Sequence, residues 1–178
     1  MSKLFFTADQ HFGHKNIIKY CNRSFSSVEE MNKVMVDRWN EVVGKDDTIY
    51  VLGDFIWNRK LCKEIPPLLN GKIHFIPGNH DYKSYPDFND NKIFPSSQIC
   101  QVNWNQQRIV LCHYPMLSWE SSYHGSWHLH GHTHCKIDYP SVTKDRLAFD
   151  VGVDGNNFYP YSILDIVSIF NKAIFGKE

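Results

Sequence analysis

The chain has 178 residues, 42% of them hydrophobic and 15% aromatic, with 19 basic and 19 acidic side chains. That length suits a single domain over residues 1–178 with a sizeable core, and the apolar content excludes a disordered chain. The zero formal charge gives no general attraction to nucleic acid or membrane surfaces.

Leu4 to Ala8 is a short apolar run ending at Asp9 and reads as a buried strand. Residues 28–43 read as an amphipathic helix. Ser27 is its N-cap, Glu30 completes a capping box, and Gly44 stops it. Thr48 to Leu52 is a second buried strand, ending at Gly53-Asp54. A short helix over 59–69 follows, its second half weakened by Pro66 and Pro67. Lys72 to Ile76 is a third strand, ending at Pro77-Gly78-Asn79, and residues 82–97 read as an irregular loop. Gln98 to Trp104 and Arg108 to Cys112 then flank an Asn105-Gln106 turn as a hairpin. Trp127 to His130 and Leu147 to Val151 are further strands, and Ser162 caps a last helix.

No secretory signal is visible at the N-terminus, and no apolar run is long enough to span a bilayer. The five cysteines form no C-x-x-C pair and read as reduced thiols, so a cytoplasmic location is expected. Eight of the ten histidines lie between residues 74 and 134, a clustering that points to metal or acid–base chemistry.

Several of these strands end at residues suited to holding a metal ion. Asp9 and His11 share the i, i+2 spacing that turns two side chains the same way on extended backbone, as do His132 and His134. Asp54 follows Gly53, Asn79 and His80 follow Gly78, and His113 follows an apolar run. Each piece alone has an ordinary reading as a turn or a packed histidine. Together they offer two Asp, one Asn and four His in order along the chain. Carboxylate, amide oxygen and imidazole without thiolate suit Mn, Fe, Zn, Ni or Co. Seven ligands are too many for one ion and fit two ions roughly 3.5–4 Å apart. Cys135, just after His134, is not needed as a ligand because the imidazoles already fill the set.

The ordered set Asp9-x-His11, Gly53-Asp54, Gly78-Asn79-His80-Asp81, His113 and Gly131-His132-Thr133-His134 resembles the calcineurin-like metallophosphoesterase superfamily. Asp9-Gln10-His11-Phe12-Gly13-His14 and His113-Tyr114-Pro115-Met116 look like its small bacterial and phage single-domain branch. The resemblance implies an α/β fold with a two-sheet β-sandwich flanked by helices. It implies that Asp9, His11 and His134 bind one divalent ion, that Asn79, His113 and His132 bind the second, and that Asp54 bridges them. Mn is the favoured metal. His80 would then contact phosphate and protonate the leaving oxygen, oriented by Asp81, while a metal-bridged hydroxide attacks phosphorus. Many relatives carry a further acidic residue just after the Gly-Asp motif, where this chain has Phe55-Ile56-Trp57.

The expected activity is metal-dependent hydrolysis of a phosphodiester or nucleotide-type small substrate, with a phosphomonoesterase as the alternative. A DNA nuclease would need a basic face, and a non-catalytic scaffold would be expected to have lost ligands or His80; neither condition is met. Substrate contacts are expected from His14, Asn16 and Arg23 near the first motif, and from Trp119 and Tyr123 as aromatic readers. His74, His124, His128 and His130 read as structural or surface histidines.

Overall fold

Three apolar runs, Leu4–Thr7 (β1), Thr48–Leu52 (β2) and Lys72–Ile76 (β3), lie side by side in parallel, with Phe5 opposite Ile49 and Ile49 opposite Ile73. The computed structural model describes residues 2–81, 93–136, 142–143 and 145–176. A fourth strand, Ile93–Pro95 (β4), extends this sheet beyond β3, and the short Tyr161–Ser162 (β9) closes its other edge antiparallel to β1. Strand β4 corrects the expectation of an irregular loop over 82–97, of which 82–92 lie outside the described residues. Only Ile93 of its three residues is buried, so no apolar alternation marks it as a strand.

The second sheet comprises Ile99–Trp104 (β5), Gln107–Cys112 (β6), Trp127–His130 (β7) and Ala148–Asp150 (β8), in that order. Strands β5 and β6 form the expected hairpin. Asn105 and Gln106 both have positive φ, +44° and +66°, the handedness that matches the twist of paired strands. Strands β6, β7 and β8 run parallel.

Successive side chains of β1, β2 and β3 point to opposite faces, so the first sheet is covered on both sides. Phe5, Val51 and Phe75 join Met31, Met35 and Trp39 in one core, beneath the helix Val28–Val42 (α2). Phe6, Leu52 and Ile76 join Ile109, Leu111 and Leu129 of the second sheet in the other core. The helix Ile163–Phe175 (α4) adds Ile166 and Phe170 to that second core, and the Phe170 ring lies 4.7 Å from that of Trp127. Removing each such side chain from water contributes roughly 1.5–3 kcal/mol before entropy is counted. The architecture is two mixed sheets flanked by helices.

Helix α2 begins as expected, with the Ser27 hydroxyl accepting from the Glu30 amide. The expected capping box is only half formed, because the Glu30 carboxylate accepts from the amide and hydroxyl of Ser26. At α4 the box is complete between Ser162 and Asp165. The stretch expected as a helix over 59–69 is one turn, Leu61–Glu64 (α3), then a tighter turn at Pro66–Leu68. That is where paired prolines remove amide donors. A further short helix, Lys15–Tyr20 (α1), follows the first motif.

Candidate metal centre and active site

The parallel strands all finish at one rim, where open α/β sheets gather ligand-binding loops. Asp9 and His11 follow β1, Asp54 follows β2, Asn79 and His80 follow β3, His113 follows β6, and His132 and His134 follow β7. Backbone bonds lock these loops together. Asp9 donates its amide to the Gly53 carbonyl at 3.0 Å, His11 to that of Asp54 at 2.9 Å, and Gly131 to that of His113 at 3.0 Å.

Five of the seven expected ligands have left-handed backbone: Asp9, His11, Asp54, His132 and His134, at φ +61°, +53°, +52°, +70° and +52°. Non-glycine residues reach this region at a cost of about 1–3 kcal/mol each, and persist there when the surrounding structure over-determines them. Two glycines make room for the crowding. Gly53 has φ +84°, and a Cβ there would lie 2.6 Å from His113 Nδ1; a Cβ on Gly131 would lie 2.6 Å from Asp9 Oδ2.

The buried Asp54 carboxylate sits at the middle. Its Oδ1 accepts the His80 amide at 3.0 Å. Its Oδ2 lies 3.5 Å from His11 Nε2, 3.7 Å from His113 Nε2 and 3.9 Å from His80 Nε2. Ligand atoms of Asp9, His11 and His134 fall within 4.8 Å of one another, as do those of Asp9, Asp54 and His113. Asn79 joins through its Oδ1, 3.0 Å from His113 Nε2. The His132 amide donates to Asp9 Oδ2 at 2.8 Å, while its exposed ring lines the cleft 5.1 Å from that of His113. Thus the structure brings all seven sequence-expected ligands to one place, with the His132 ring at its outer margin.

The donor chemistry fits divalent cations. Among the described residues, Asp9 Oδ1 and His11 Nε2 are buried without a hydrogen-bond partner, a costly state for polar atoms unless a cation meets them. Burial pushes the Asp9 carboxyl well above its usual range. It also pushes His11 down to about 2 and His113 down to about 4, so both imidazoles are neutral at pH 7, the form that can bind a metal. His113 Nδ1 lies 2.7 Å from the Leu52 carbonyl. Donation there leaves a bare Nε2 lone pair facing the Asn79 oxygen, and two acceptors 3.0 Å apart suit a shared cation. His134 differs. Burial opposes its charge, but bonds from Asp154 and Cys21 and the nearby Asp9 charge lift it to about 10.

A profile of the calcineurin-like phosphoesterase family matches residues 2–154. The chain belongs to that family. An uncharacterised protein of Methanocaldococcus jannaschii is 38% identical over 178 residues, covering 97% of this chain and 94% of that one. The Gene 66 protein of a Mycobacterium phage is 26% identical, covering 86% and 89%. A protein of unknown function from Aquifex aeolicus superposes with a TM-score of 0.75 at 24% identity, over 94% of this chain and 99% of that one. The chain is therefore a metallophosphoesterase of the small type, a phosphoester hydrolase with candidate ligand groups for divalent metal.

Some expected contacts fall elsewhere in this phosphoesterase. Asp81 was expected to orient His80, but its carboxylate accepts the amides of Asp54, Gly78 and Phe55 at 2.6, 2.7 and 3.1 Å. Those bonds hold the turn that carries Asp54. Arg23 was expected at the substrate, but it is buried and bonded to Asp154 and to the carbonyls of Asp9 and Gln10. Trp119 donates to the Ser126 carbonyl, with His128 beside it and Arg146 over its ring. Tyr123 is 91% exposed on a turn, and neither ring lines the cleft. His14 and Asn16 do line it.

His128 and His130 are buried on the face of β7 opposite Leu129, and His128 bonds the Val110 carbonyl and the Met116 amide. His74 stacks between Tyr50 and Phe94, and His124 is exposed. The Cys135 thiol turns away toward the Gly152 carbonyl. Three residues at the site had not been singled out for it: Trp57, which stacks on His14, and Cys21 and Asp154, which lie against His134. Asp154 lies in a short turn, Val153–Gly155, four residues beyond β8, so it lacks the strand-end placement that marks Asp9 and Asp54.

Two outcomes are expected. If Asp54 bridges two ions, as its central position suggests, Asp54→Asn weakens both together, and elemental analysis finds both depleted; normal occupancy of two ions would overturn the bridging position. Metal loading of chelator-treated protein at pH 7 releases protons, because His134 holds one up to about pH 10, and affinity falls as pH is lowered. Calorimetry in buffers of different ionisation enthalpy reads this, and zero net release would contradict it.

Proposed function

We propose that this protein hydrolyses a phosphodiester, and specifically a small nucleotide-type substrate, at the Asp54-centred site. The observation that carries the reading is the set of imidazoles around Asp54 Oδ2: two are buried against it, and the third, His80, is 43% exposed at 3.9 Å. Asp9, His11 and His134 would hold one divalent ion and Asn79, His113 and His132 the second, bridged by Asp54; the oxygen and imidazole donors favour Mn, with Fe, Zn, Ni or Co as alternatives. Two such ions supply positive charge to the phosphoryl oxygens and lower the pKa of bound water.

The chain's own groups do the rest. The bond from the His80 amide to Asp54 anchors the residue beside the reacting phosphorus. Its ring is open to the cleft, where it stabilises the phosphoryl charge and delivers a proton to the leaving oxygen, work worth roughly 10²–10⁴ in rate. Asp81 positions the Asp54 turn, and so acts through the backbone.

The cleft of about 440 Å³ has the size of a small-molecule site. Lys136 is the one lysine or arginine lining it among the described residues, which suits a singly charged diester better than a doubly charged monoester. Trp57 is 43% exposed, stacks on His14 with ring centroids 3.9 Å apart and planes at 5°, and lies 4.9 Å from the His80 ring. Tyr20, 65% exposed, completes this wall. An aromatic wall beside the proton donor suits a base on the leaving side of the phosphorus. The reading takes all 178 residues as one catalytic domain acting in the cytoplasm.

His80→Ala should keep both metals and lose about 10²–10⁴ in kcat for a diester; loss of metal instead would make His80 a ligand. Trp57→Ala should raise KM for a dinucleotide by about tenfold, the scale of one lost base stack, and change KM for an alkyl diester far less. Equal effects on both would argue against stacking.

A further inference from the structure

Arg23 and Asp154 lie 131 residues apart in the chain and form a pair in which Arg23 is buried and Asp154 largely so. The Arg23 side chain has no exposed surface. Its Nε donates to Asp154 Oδ1 at 2.7 Å and its Nη2 to Asp154 Oδ2 at 2.9 Å, a two-pronged contact. The same Nη2 donates to the Asp9 carbonyl at 2.7 Å, and Nη1 to the Gln10 carbonyl at 2.9 Å. Asp154 Oδ2 also lies 2.8 Å from His134 Nδ1. One guanidinium therefore ties the left-handed turn at Asp9 to the carboxylate that grips His134. Its hydrogen bonds reach none of Asn79, His113 or His132.

We propose that Arg23 and Asp154 are positioning residues for one of the two metal positions, the one formed by Asp9, His11 and His134. The inference rests on the two-ion reading above. Asp154 accepts the Nδ1 proton of His134, which fixes the tautomer and turns the Nε2 lone pair toward Asp9 and His11. Arg23 balances the Asp154 charge, which spares the fold an unpaired buried carboxylate. It also holds the Asp9 backbone in its left-handed turn. A carboxylate behind a ligating imidazole sets ring orientation and basicity, and its loss typically costs about 10–100-fold in metal affinity. Because the pair bonds directly to Asp9 and His134 and to none of Asn79, His113 or His132, the larger effect falls on the first position. His113, whose Nδ1 faces the Leu52 carbonyl, keeps its own orientation without it.

The test uses the full chain, stripped of metal with chelator and titrated calorimetrically with Mn²⁺. Asp154→Asn and Arg23→Lys should weaken one binding event about 10–100-fold and leave the other within about twofold of the parent. Nitrogen-15 spectra of the histidine rings in the metal-loaded protein should show His134 with its proton on Nδ1 in the parent, and a mixture of tautomers in Asp154→Asn. Equal weakening of both events in both variants, or an unchanged His134 tautomer, overturns the proposal. If Asp154→Asn does not fold by circular dichroism, Arg23→Lys, which keeps the charge and loses the two-pronged contact, decides by the same asymmetry. A parent that binds a single ion would refute the two-ion reading. The His134 tautomer would then decide the positioning role alone.

Discussion

The carboxylates of Asp9 and Asp54 and the nitrogens of His11 and His113 converge in a buried space where their lone pairs face one another. Like lone pairs at such distances repel, and burial removes the water that would otherwise screen them. Among the described residues Asp9 Oδ1 and His11 Nε2 find no hydrogen bond, and His113 Nε2 faces the Asn79 oxygen. Divalent cations would resolve this frustration, and the surrounding fold keeps these groups together. The ligand turns are left-handed, the glycines remove the Cβ atoms that would collide, and Asp81 clamps three amides beneath Asp54.

The rim owes its rigidity to what lies under it. Parallel strands deliver every ligand turn to the same edge, and apolar side chains on both faces of the first sheet leave little freedom for the strands to shift. His80 differs from its neighbours because only its backbone is tied. Its amide is bonded to Asp54, while its ring stands in the cleft. In the proposed mechanism that division separates the groups that would hold metal from the group that would move a proton.

Much of this is legible along the chain. Strands β2, β3 and β7 coincide with the segments read as strands: β2 is largely apolar, while β3 and β7 interleave histidine with apolar residues. The capping residues Ser27 and Ser162 act as their positions suggest. The seven candidate ligands that converge at the rim are legible because each follows a strand end, often after a glycine. Strand β4 was not legible, since two of its three residues are exposed. The misplaced aromatic contacts have a similar cause. Trp119 and Tyr123 lie between ligand motifs in sequence, yet the segment folds so that Trp119 bonds Ser126 and packs on His128.

The sequence by itself marked most of the strands, the donor chemistry at their ends and the family, because these depend on local periodicity and on residue chemistry at strand ends. Only the tertiary structure decided which side chains share the site. It turned Arg23 from the cleft into the interior, made Asp81 a backbone clamp, set Trp57 against His14 beside His80, and joined Asp154 to His134. Contacts between residues such as Arg23 and Asp154 arise from how the two sheets and their loops close on each other, and no local pattern in the chain encodes that closure.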